Sequence, residues 1–124
     1  MRPVLCVAAL AGPALAGGLA AGPARAEGFT VVDLGPARDR ESCMYRAGRM
    51  LERHEAKHGL HEWRASDWIV FAYDLRPGDQ DVTVMCPILG GTGAIVNAFL
   101  NVHGETTAGE REATADALEG YWNE

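Results

Sequence analysis

The feature that most restricts this chain is its first stretch. Residues 3–24 carry no charged side chain and are rich in Ala, Leu, Val and Gly, behind a single positive charge at Arg2. The stretch ends in Ala24-Arg25-Ala26. This is the small-x-small pattern a signal peptidase requires, because its pocket admits only small side chains at those two positions. The run approaches the roughly 20 residues that span a bilayer as a helix. However, Gly12, Pro13, Gly17, Gly18, Gly22 and Pro23 interrupt a helix there, and alanine adds little hydrophobicity. Residues 1–26 are therefore expected to be a cleaved export signal, and residues 27–124 a single small domain. The expected location is periplasmic or secreted, with no membrane attachment after cleavage.

Cleavage there shifts the charge and the cysteine count. Of the 124 residues it leaves 98, with nine basic and 17 acidic side chains and a net charge of −8. Such a domain is repelled by nucleic acid and by anionic headgroups, which excludes both as partners. Cys6 leaves with the signal, so Cys43 and Cys86 remain as an even pair in an oxidising compartment. A structural disulfide between them is the expectation.

Patterning then orders the domain. Residues 29–34 (FTVVDL) read as a strand ended by Gly35-Pro36. A helix is predicted over about 38–58, with Cys43, Met44, Ala47, Met50 and Leu51 as one apolar stripe and Gly59 as its stop. Residues 67–75 and 81–88 read as strands around an Arg76-Pro77-Gly78-Asp79 turn. Gly90-Gly91-Thr92-Gly93 joins the second of these to a third strand over 94–103. It lacks the Gly-Lys-Ser/Thr ending of a phosphate loop. Thr107 and Glu110 have the spacing of a capping box and open a last helix over about 108–122. The predicted fold class is α+β: strand, helix, three-strand antiparallel meander, helix, with the helices packed on one face of the sheet and one disulfide.

Strand alternation assigns the two faces. Val82, Val84 and Cys86, with Val96, Ala98, Leu100 and Val102, share the inner side, and Cys43 lies in the stripe of the first helix. The outer side takes Ile69, Phe71, Tyr73, Met85, Ile95, Asn97, Phe99, Asn101 and His103. An exposed apolar patch of this kind marks a partner or ligand surface. Phe71, Tyr73, Met85, Asn97, Phe99 and Asn101 are the candidate contact residues. A homodimer interface is one alternative; coverage by the first strand and by residues 60–66 with Trp63 is another.

One short motif carries chemistry. His54-Glu55-Ala56-Lys57-His58 fits H-E-x-x-H, in which two imidazoles one helical turn apart share a face and can bind one Zn²⁺. Over these five residues the chain resembles the zincin metallopeptidases. The resemblance implies His54 and His58 as zinc ligands and Glu55 as general base. His61 is a further candidate ligand, and a metal-only site of His54, His58 and His61 is a separate possibility. The charged Glu52 and Lys57 and the immediate stop at Gly59 support a plainer reading. In it, a partly exposed helix end carries histidines that suit the negative end of the helix dipole. Ser42 and Ser66 are the only serines and neither has a nucleophile context. The preferred expectation is a non-enzymatic, acidic, exported binding module for a protein or small-molecule partner, without a cofactor. The alternative is a zinc-binding protein or small zinc-dependent hydrolase.

Overall fold

Strand β1 (Gly28–Ala37) is the first of the described elements, followed by helix α1 (Arg40–His58), β2 (Glu62–Ala65), β3 (Ile69–Leu75), β4 (Gln80–Met85), β5 (Ile95–Gly104) and α2 (Ala108–Trp122). The computed structural model describes residues 27–88 and 90–124. The expected export signal and the side chain of Val96 lie outside the described residues.

The five strands form one antiparallel sheet in the order β1-β5-β4-β3-β2. This is the expected α+β layout with the Cys43–Cys86 disulfide. It has one strand more than the sequence pattern indicates. Residues Glu62–Ala65 pair with β3, Trp63 opposite Ala72 and Arg64 opposite Phe71. The first strand pairs with β5 at the far edge. Neither segment folds over the outer face; each extends the sheet sideways, because an edge strand's free N–H and C=O groups are best satisfied by another strand.

Helix α1 is built as its sequence indicates. Asp39 caps it, accepting a hydrogen bond from the Ser42 amide at 2.7 Å. That bond and the neighbouring Arg38 guanidinium hold the Asp39 carboxyl down at about 2. Gly59, at φ 99°, ends the helix and its amide donates to Glu55 O at 2.9 Å. The buried stripe is Cys43, Ala47, Met50, Leu51 and His54. His54 falls four residues after Met50 and three after Leu51, so it continues the stripe into the core. The expectation of a partly exposed histidine there is corrected: His54 is 1% exposed.

Helix α2 has the capping box in full. The Thr107 amide donates to Glu110 Oε2 at 2.7 Å, and the Glu110 amide donates to Thr107 Oγ1 at 3.2 Å. Its buried face is Arg111, Thr114, Ala115, Leu118, Tyr121 and Trp122, a three-and-four spacing. The last carbonyls of α2 are satisfied from α1. Arg46 donates to Trp122 O at 2.9 Å and Arg53 to Tyr121 O at 2.8 Å. The Arg46 guanidinium also lies over the Trp122 ring, 4.0 Å from its centroid, and Trp122 Nε1 donates to Leu34 O at 2.9 Å. One side chain thus joins both helices to β1.

Both helices pack on the same side of the sheet. Met50, Leu51 and Leu118 meet Val70, Val82, Val84, Leu100 and Val102 there. Each such fully buried large side chain contributes roughly 1.5–3 kcal/mol. Ile95 departs from the predicted alternation. It is 1% exposed and part of the core, not of the outer face. The β1–β5 register explains this: Gly35 pairs with Ala98 but Ala37 pairs with Ile95, so three steps on β5 match two on β1. The irregularity reverses the phase and turns Ile95 inward with Ala98.

Candidate functional site

Two regions contain the residues singled out by sequence. The first is the sheet face that neither helix covers. Antiparallel partners share a face, so the register lays out its rows. One row runs Val31, Asn101, Thr83, Phe71 and Arg64 across all five strands. The next runs Asp33, Phe99, Met85 and Ile69, and a third joins Phe29, His103 and Asp81. Tyr73 lies opposite Glu62. Phe71, Met85 and Phe99 are half-buried, Tyr73 is exposed, and Phe29 and Val31 at the β1 edge are 70% and 55% exposed. The β1 residues belong to this face although alternation within the meander alone did not include them. Pairing of β1 with β5 is what places them there.

The polar groups on this face are partly engaged. Asn97 Nδ2 donates to Asp33 Oδ2, which with the Gly35 amide holds the Asp33 carboxyl below its usual range. His103 Nε2 is 3.1 Å from Glu27 Oε1. Arg64 lies over the Tyr73 ring at 5.9 Å. Asn101 Oδ1 is buried without a hydrogen-bond partner. The face is therefore a mostly apolar centre with charges at Asp33, Asp81, Glu62 and Arg64 towards its margins.

The second region is the histidine cluster at the end of α1. The rings of His54 and His58 lie 4.4 Å apart, tilted by 32°, and the His61 ring stands edge-on to His54 at 5.7 Å. Tertiary structure thus brings all three candidate ligands together. Burial, and secondarily the nearby His58 and His61, push His54 down to about 4. Burial also lowers His61, against the raising effect of the Glu55 carboxylate. Glu55 Oε1 is 3.9 Å from His61 Nδ1 and accepts from the His61 amide at 3.5 Å. It is turned towards His61. Among the described residues, no group of three or more His, Cys, Asp or Glu side chains is disposed to hold a metal ion.

His54 and His58 also line a cavity of about 240 Å³ with Pro77, Gln80, Glu110, Ala113, Thr114 and Ala117. The sequence reading missed the last six. The spacing of 110, 113, 114 and 117 on one helix face was legible, but its meeting with Pro77 and Gln80 was not. Among the described residues no helix is long and apolar enough to cross a membrane. Compared with protein-family models, curated proteins and solved structures, the chain has no match.

Proposed function

We propose that this chain is an exported, non-enzymatic binding module that works through its open sheet face, in the periplasm or outside the cell. The observation that carries the reading is the one-sided packing. Both helices lie against the inner face, and on the outer face Phe71, Tyr73, Met85 and Phe99 are covered by neither helix. An apolar surface of this kind is disfavoured in water unless a partner covers it. A five-stranded face suits a protein surface, and a second copy of this chain is the simplest one. The buried disulfide supports export, since such bonds persist in oxidising compartments. The excess of acidic over basic residues disfavours nucleic acid and anionic membranes.

Sedimentation of the purified chain over a range of concentrations tests this. Self-association is expected, and Phe71→Glu or Phe99→Glu should weaken it by about tenfold or more, as for a truncated or charged interface centre. A wild-type chain that stays monomeric, or association that both variants leave unchanged, would count against the reading.

A further inference from the structure

The cavity beside His54 lies on the helical side of the sheet, away from the proposed working face. Three stretches of chain build it: the end of α1, the turn between β3 and β4 with the first residue of β4, and the part of α2 from Glu110 to Ala117. Its floor is polar and buried. Gln80 and His54 are each 1% exposed, and Thr114 is buried beside them. Ala113 and Ala117, on the facing side of α2, are small enough to leave the space open, and Pro77 closes the turn side.

The floor has hydrogen-bonding capacity that the protein does not fill. Gln80 Nε2 donates to Pro77 O and to Thr114 Oγ1, both at 3.1 Å. These two bonds fix the amide, and Gln80 Oε1 is left buried without a partner. His54 Nδ1 is likewise buried without one. A buried acceptor without a donor is costly, so a ligand that supplies the donor gains by it.

The lining also selects for charge and size. It includes no lysine or arginine among the described residues, and Glu110 stands in its wall. An anion there meets the Glu110 wall and the unpaired Gln80 oxygen, with no lysine or arginine among the described lining residues. A cavity of about 150 Å³ with apolar walls holds benzene. By that measure 240 Å³ accommodates roughly ten non-hydrogen atoms.

We propose that this cavity binds a small neutral alcohol with an apolar body, of the phenol type, whose hydroxyl donates to Gln80 Oε1 while its ring packs on Ala113, Ala117 and Pro77. The ring fills the space left by the alanines, and the hydroxyl satisfies the acceptor held by Pro77 and Thr114. The Gln80 oxygen sets the preference for a hydroxyl over a hydrocarbon, and with Glu110 the preference over a carboxylate.

NMR titration of the purified chain with thymol tests this, with cymene as the same skeleton without the hydroxyl and cumate as the anionic analogue. Thymol is expected to shift the Ala113, Thr114 and Ala117 amides saturably. Cymene should bind about tenfold more weakly, the loss of one hydrogen bond to a buried acceptor, and cumate should leave those amides unmoved. Ala117→Phe fills the space and should abolish the thymol shifts, with folding checked by its melting temperature. Phe71→Glu, on the other face, should leave them intact, which separates this site from the sheet-face reading. No saturable shift at these residues, cymene binding as tightly as thymol, or binding that survives in a folded Ala117→Phe variant would overturn the proposal.

Discussion

Cys43 and Cys86 are bonded across 43 residues of chain, with Cα atoms 6.0 Å apart and both side chains fully buried. The bond joins the first turns of α1 to the residue just past β4, where the Cys86 amide donates to Trp68 O at 2.8 Å. It therefore crosses the interface between the helical layer and the sheet.

Opening this bond should destabilise the fold substantially. Closing a loop of 43 residues restricts the unfolded chain. On the chain-entropy account this contributes about 3–4 kcal/mol. Urea unfolding of the chain with and without reductant, or of a Cys43→Ala/Cys86→Ala variant, should show a loss of that order. An unchanged midpoint would mean that the layers hold together without the bond.

Stability should also fall in mild acid through His54. Its folded value of about 4 lies below the ordinary 6.5, because the buried ring resists charging beside His58 and His61. The unfolded chain therefore binds the proton first. The contribution is complete above pH 6.5 and is lost as the pH falls towards 4. Its steepest slope is about 1.4 kcal/mol per pH unit. His61, also lowered, acts in the same direction. Unfolding free energies measured across this range should decline for the wild type and more shallowly for His54→Leu. Parallel curves would show that His54 does not titrate between these limits.

Zinc should not be retained by the histidine cluster. Zinc ligation requires one nitrogen of each imidazole to meet the ion at roughly 2.0–2.1 Å. The tilted His54–His58 pair, 4.4 Å between centroids, would have to separate and reorient to reach that geometry. Metal analysis after zinc loading and dialysis should therefore find substoichiometric zinc. A full equivalent of zinc, lost in His54→Ala, would restore the hydrolase reading of His54, Glu55 and His58.

Local signals account for the elements the sequence made legible. The Thr107–Glu110 box and the stripe behind it place α2 at Ala108–Trp122, because a cap and a helical period act within a few residues. The spacing from Met50 and Leu51 to His54 was equally readable as core. The polarity of the imidazole and the nearby helix end at Gly59 point the other way, towards solvent. The four residues of β2 offered no comparable signal. Glu-Trp-Arg-Ala is too short and too charged to read as a strand, and it becomes one by pairing with β3.

By itself the sequence determined the α+β class, the helix limits, the cysteine pair and, Ile95 apart, the two faces of the meander, all of which rest on short-range periodicity and residue chemistry. Only the tertiary structure decided that Ile95 turns inward, that Phe29 and Val31 join the open face, and that Gln80 and Ala117 meet His54 around a cavity. Those outcomes depend on the register between β1 and β5 and on contacts between residues tens of positions apart.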